Sequence, residues 1–157
     1  MQPNIGIKKE DLSAVSQILS GVLADEFLLY TKSRNAHWNV EGPDFHDKHK
    51  FFEAQYEALD ELMDEVAERI RTLGHYAPGT LKDFLQLTHL TEASRSKNDS
   101  QGYIKELLTD HENIIIFLRE NIDKIADEYH DVGTSDFLTG ILEQHEKMAW
   151  MLRSHLR

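Results

Sequence analysis

Asp44-Phe-His-Asp-Lys-His-Lys-Phe-Phe-Glu-Ala-Gln-Tyr-Glu-Ala-Leu-Asp-Glu-Leu-Met-Asp-Glu-Val-Ala-Glu-Arg-Ile-Arg-Thr-Leu73 runs without a proline or a glycine. Its apolar positions Phe52, Tyr56, Leu59, Met63, Val66, Ile70 and Leu73 step by 4, 3, 4, 3, 4 and 3 residues. That spacing keeps them on one side of an α-helix and forms the seam of a packed bundle helix. Pro43 suits the start of such a helix and Gly74 its end. One amphipathic helix of this length must bury its seam against others, so the stretch predicts a helical bundle.

The flanking sequence supplies the partners. Val15, Ile18, Leu19, Val22 and Leu29 make an apolar face on a first helix from about Lys9 to Ala36. A long connection runs from His75 to about Ser100, with a turn at Pro78-Gly79 and a short helix over Leu81–Leu87. Ile104, Leu108, His111, Ile115, Leu118, Ile122 and Ile125 repeat the seam on the next long helix. Asp131 to Ser135 reads as a loop containing Gly133, and the last helix as Asp136 to Arg153. No stretch alternates as a strand. The expectation is an all-α, ferritin-like four-helix bundle with a short extra helix in its long crossover. Residues 1–157 form one domain behind a short N-terminal tail of about eight residues.

The helix over 44–73 also carries two i, i+4 pairs of metal-type ligands, His49/Glu53 and Asp64/Glu68. With His49 set at zero, they centre near about 50°, whereas the seam centres near about 290°. The ligand face thus flanks the buried stripe. Glu53 and Asp64 are separated by about 16 Å along the axis at 1.5 Å per residue. Imidazole and carboxylate ligands lie about 2.0–2.2 Å from a first-row metal, so the two pairs cannot close on one ion within one chain. A second copy, antiparallel across a two-fold axis, brings the first pair against the partner's second pair. His37, just before Trp38 at the end of the first helix, can turn its ring toward His49. An iron pair inside the bundle is not expected, because no glutamate is followed three residues later by histidine. Taken singly, charged i, i+4 pairs form a solvated face, and a histidine beside an aromatic is a packing residue. Their conjunction favours a metal site of nitrogen and oxygen ligands, suited to Fe(II), Mn(II) or Zn(II).

Composition narrows the rest. The chain is 40% hydrophobic, and its lack of cysteine excludes thiolate sites and disulfides, which suits a reducing cytoplasm. The N-terminus lacks the apolar core of a signal peptide. Leu12 to Ala24, the longest uncharged stretch, is too short and polar to span a bilayer. A net charge of −11 opposes a general phosphate-binding surface and favours attraction of cations. Basic residues at the ends are few: Lys8 and Lys9 in the tail, Arg153 and Arg157 at the C-terminus.

Asn35-Ala-His-Trp-Asn-Val-Glu-Gly-Pro-Asp-Phe-His-Asp-Lys-His-Lys-Phe-Phe-Glu53, then Asp64-Glu-Val-Ala-Glu-Arg69, resembles the signature of the Dps family. These are the miniferritins, named for DNA-binding protein from starved cells. The resemblance runs through nearly the whole chain, to the closing Glu146-Lys-Met-Ala-Trp-Met-Leu152. It implies a hollow dodecamer with ferroxidase centres at two-fold interfaces. His37, His49 and Glu53 would come from one subunit, and Asp64 and Glu68 from its partner. The family more often has aspartate where Glu53 stands; the ligand type survives, while iron spacing or affinity can differ. Trp38 would flank the metals, as a redox-active or a purely packing side chain.

The activity so implied is oxidation of Fe(II), with hydrogen peroxide, and storage of ferric oxyhydroxide in the shell, protecting the cell from oxidative damage. The cofactor is non-haem iron at an inter-subunit di-iron site. Asp131 and Asp136 are candidates for acidic entry pores at three-fold axes, helix capping being their alternative. Glu57, Asp60 and Glu61 are candidates for mineral nucleation, against ordinary solvation. DNA binding is not carried over, because the tail lacks a lysine cluster. A DNA-compacting protein and an inert helical assembly are the competing classes.

Overall fold

A computed structural model of the chain describes residues 3–92 and 95–156; Arg157 and part of the polar run after Glu92 lie outside them. Five helices follow in order: α1 (Lys9–Asn39), α2 (Phe45–Thr72), α3 (Leu81–Leu87), α4 (Ser100–Asp127) and α5 (Val132–Ser154). α1 pairs with α2 and α4 with α5, and α3 lies on α1 within the long crossover. The described residues contain no strand, only an isolated bridge between Glu41 and Asp99. This is the ferritin-like bundle expected from the seam spacing.

The seam of α2 behaves as its period requires. Phe52, Leu59, Val66, Ile70 and Leu73 are buried, each contributing roughly 1.5–3 kcal/mol when fully removed from water. Tyr56 and Met63, at the margin of the stripe, are only partly covered. The helix stops where the sequence says it should. Gly74 takes φ +86, its N–H donates to Arg71 O at 3.0 Å, and His75 N–H donates to Ile70 O at 3.3 Å. That pair of bonds closes the last turn, and the left-handed residue between them favours glycine. A Cβ there would also meet Pro3 Cδ at 2.5 Å.

Two boundaries differ from expectation. α1 continues to Asn39, so His37 and Trp38 lie in its last turn. α5 starts at Val132, not Asp136, because Asp131 caps it: its Oδ1 accepts from Thr134 N at 2.9 Å and from Arg69 Nη2 at 3.3 Å. Gly133 is tolerated in the first turn once that cap is made. Asp131 is 2% exposed and both its oxygens are engaged, which removes it as a pore carboxylate. Asp136 is exposed on α5.

α1 also holds a window of mean hydropathy 1.4, long and apolar enough by composition to cross a membrane, a property Leu12–Ala24 alone lacks. Most of that window, 67%, is buried in the bundle, so its apolarity belongs to the core. Asp25 on the same helix anchors the crossover, accepting from Thr88 Oγ1 at 2.7 Å and His89 N at 2.6 Å, with His89 Nδ1 2.8 Å away.

A polar chain crosses the bundle interior. Glu26 Oε1 lies 2.6 Å from His145 Nε2, and His145 Nδ1 lies 2.9 Å from His111 Nδ1, all three residues being 0% exposed. Burial, with His145 adding to it, holds the His111 imidazole well below its usual range and therefore neutral. Such a linkage stabilises only while complete, because an orphaned partner carries its full desolvation cost. Glu26→Ala is therefore expected to lower unfolding free energy by about 3–5 kcal/mol in denaturant melts. Replacing Glu26, His111 and His145 together by leucine should recover most of that loss.

Candidate metal half-site at the α1–α2 end

The last turn of α1 and the first turns of α2 are fastened by two reciprocal hydrogen bonds. His37 Nδ1 donates to His49 O and His49 Nδ1 donates to His37 O, each at 2.8 Å. A carbonyl only accepts, so each Nδ1 must carry a proton. In the neutral ring the lone pair is then on Nε2, the arrangement a metal-binding imidazole requires. The rings stack with centroids 3.7 Å apart and planes at 20°. His37 O lies among the last carbonyls of α1, which lack intrahelical donors, so the bond also satisfies a helix end. The short α1–α2 connection is held from the other side, where Glu41 N donates to Asn98 O at 2.8 Å.

Glu53 stands one turn beyond His49. Its Oε2 accepts from Lys50 Nζ at 2.6 Å, and that bond, with the Lys50 charge, holds its carboxyl below the usual range. The carboxylate is ionised and near both imidazoles, but a metal would have to displace Lys50 from it. Asp64 and Glu68 lie further along α2 and both are exposed. Within one chain the structure therefore brings His37, His49 and Glu53 together and leaves Asp64 and Glu68 apart. Among the described residues no group of three histidine or acidic side chains is placed to hold a metal ion.

Trp38 is 63% exposed beside this half-site, under the guanidinium of Arg34 at 5.3 Å. Arg34 lies 4.5 Å from the Tyr56 ring centroid and 5.5 Å from that of Tyr30. Sequence reasoning placed Tyr56 in the seam and passed over Tyr30 and Arg34. The signal was present: Tyr30, Arg34 and His37 stand at i, i+4 and i+7 on α1, as His49, Glu53 and Tyr56 do on α2. The interior set of Glu26, His111 and His145 was visible only as a polar residue, His111, within an apolar seam.

A family model described as a ferritin-like domain matches residues 16–157. The fold and the match define a ferritin-like protein. Among similar sequences, "DNA protection during starvation protein 2" of Bacillus anthracis is 36% identical over 90% of this chain and 96% of its own. An uncharacterised low-temperature-induced protein of Nostoc sp. is 44% identical over 98% of this chain and 86% of its own. Among solved structures, the Dps protein of Vibrio cholerae has a TM-score of 0.92 at 28% identity, covering 99% of this chain and 97% of its own. That protein is described as a member of a broad superfamily of ferritin-like diiron-carboxylate proteins. DpsC of Streptomyces coelicolor has a TM-score of 0.94 at 28% identity, covering 100% of this chain and 91% of its own.

The chain belongs to the Dps family. Iron storage, protection and ferroxidase-type chemistry are the general business of that family.

The Lys50–Glu53 bond generates a direct test. Lys50→Met should tighten binding of a divalent cation such as Co(II) by a few-fold, and Glu53→Gln should weaken it. Equal affinities for all three proteins in calorimetric titration would remove Glu53 from the ligand set.

Proposed function

We propose that this chain is a ferroxidase and iron-storing miniferritin whose metal centres form between two subunits related by a two-fold axis. The observation that carries this reading is the reciprocal Nδ1–carbonyl pairing of His37 and His49, which leaves both Nε2 lone pairs for a metal. Glu53 adds a carboxylate on the same side. Asp64 and Glu68 of the partner subunit, exposed on an antiparallel copy of α2, would complete the sphere; within one chain Asp64, the nearer of the two, is about 16 Å along the helix from Glu53.

In this mechanism Fe(II) is the substrate. The two imidazoles retain the ferrous ion, and the carboxylates favour the ferric product. Fixing the rings through Nδ1 fixes the direction of each ligand before iron arrives. Two irons held close each give one electron to one molecule of hydrogen peroxide, which with two protons becomes two waters. No hydroxyl radical is released in that balance. The product moves into the hollow of a dodecamer, where exposed Glu57, Asp60 and Glu61 on α2 offer oxygen ligands to a growing ferric oxyhydroxide. Asp136 is the remaining candidate for lining the entry route. The whole reading places the protein in the cytoplasm, where Fe(II) and peroxide meet.

Mixed assemblies test the shared site. Homogeneous His49→Ala and Asp64→Ala proteins should each lose saturable Fe(II) binding under anaerobic conditions. Co-refolded in equal amounts, they should regain about a quarter of the native sites, because each mixed two-fold pair restores one of its two centres. No recovery in correctly assembled mixtures would place the ligands within single chains.

Protection here works by removing iron and peroxide, with DNA left unbound. The net charge of −11 opposes phosphate binding. Duplex DNA should show no mobility shift at low micromolar protein and physiological salt. A persistent shift would restore the DNA-compacting reading.

A further inference from the structure

Three titratable residues from three helices meet in the middle of the bundle. Glu26 of α1, His145 of α5 and His111 of α4 are each 0% exposed. Two gaps join them, 2.6 Å from Glu26 Oε1 to His145 Nε2 and 2.9 Å from His145 Nδ1 to His111 Nδ1. At those distances each gap holds one hydrogen, because two facing lone pairs or two facing N–H groups repel. The outer atoms of the chain, Glu26 Oε2 and His111 Nε2, have no hydrogen-bond partner among the described residues. The other acids of these helices are committed elsewhere. Asp25 is turned to Thr88 and His89, and Asp110 to Lys32. Glu112 and Glu146 are half-exposed and paired with Arg153 and Arg119. Of the helices packed on α1, α2 buries one polar side chain among the described residues, the uncharged Gln55, and α3 buries only Phe84.

We propose that Glu26, His145 and His111 form an internal proton-binding site that locks α1 to α4 and α5 while it carries three protons. Charge sets that number. With the two gap hydrogens alone, the set is a carboxylate and two neutral imidazoles, one net negative charge sealed from water. A third proton, on either outer atom, makes the set neutral; a fourth makes it positive. Burial penalises both charged forms, and the neutral His111 imidazole is the acid side of that rule. The unfolded chain counts differently. Above about pH 6.5, the ordinary imidazole range, its carboxylate is ionised and both histidines are neutral, so it holds two protons. Below that range both histidines charge and it holds four. Folding therefore takes up one proton on the alkaline side and releases one on the acid side. Stability rises with pH where the unfolded chain holds more protons and falls where it holds fewer. The lock is thus tightest near about pH 6.5 and loosens in both directions. It stands apart from the iron centre, since no residue of the α1–α2 end takes part.

The experiment follows guanidinium unfolding of the assembled protein, without added iron and at fixed protein concentration, from about pH 5 to about pH 8.5. The reference is the variant with Glu26, His111 and His145 all replaced by leucine, which keeps every other titrating group. The ratio of unfolding constants, wild type over reference, should be smallest near about pH 6.5 and climb by up to about tenfold per pH unit on either side. Glu26→Gln leaves two imidazoles and no acid, so the alkaline climb should vanish and the acid climb steepen. His111→Leu leaves one acid and one imidazole, so the acid climb should vanish and the alkaline climb remain. If the triple variant does not assemble, these two single variants against wild type still separate the two arms. Parallel pH profiles for wild type and reference would overturn the proposal. So would a climb on the acid side alone, because the chain would then fold with its negative charge uncompensated.

Discussion

Two imidazoles that each donate to the other's backbone carbonyl tie the end of α1 to the start of α2, and the rest of the site depends on that exchange. It satisfies a carbonyl at a helix end and chooses the tautomer of both rings. The tautomer follows from one fact, that a carbonyl cannot donate. Because both Nδ1 protons are committed to carbonyls, the lone pair of each neutral ring is left on Nε2, and Glu53 stands ionised one turn along α2 from His49. Behind the rings stand Arg34, one turn before His37, and Tyr56, two turns after His49, whose ring meets that of His37 edge-on.

Rigidity of α2 is the complementary constraint. A continuous helix cannot bring Asp64 and Glu68 back to His49 and Glu53, and the apolar seam beside them prevents the helix from bending out of the bundle. In the interior, Glu26, His145 and His111 are joined in a chain sealed from water. Polar chemistry is thus divided between a closed interior linkage, which joins α1, α4 and α5, and the α1–α2 end, where His37 and His49 meet.

Seam periodicity made the bundle legible residue by residue. Phe52, Leu59, Val66 and Ile70 on α2, and Ile104, Leu108, Leu118 and Ile125 on α4, are buried as their spacing demands. The start of α5 was legible in part: capping stood as the alternative reading of Asp131, whose Oδ1 accepts from Thr134 N three residues on, whereas its contact with Arg69 of α2 left no mark in the sequence. The same long-range contact converted a candidate pore residue into a buried structural one. Asp25 gains its partners only from the return of Thr88 and His89 in the crossover.

What the amino-acid order determined alone is everything governed by local repeat: helix number, buried faces, the glycine stop after α2, and the presence of two ligand pairs too distant to share an ion. These depend on the 3.6-residue period and on sterics within a few residues. Tertiary structure alone decided the tautomers of His37 and His49, the capture of Glu53 by Lys50, the interior Glu26–His145–His111 linkage and the gathering of Tyr30, Tyr56 and Trp38 about Arg34. Most of these join residues far apart in the chain, and even the neighbouring Lys50–Glu53 bond depends on a rotamer. Hydrogen-bond direction and ring contact are settled by packing geometry, which no sequence spacing specifies.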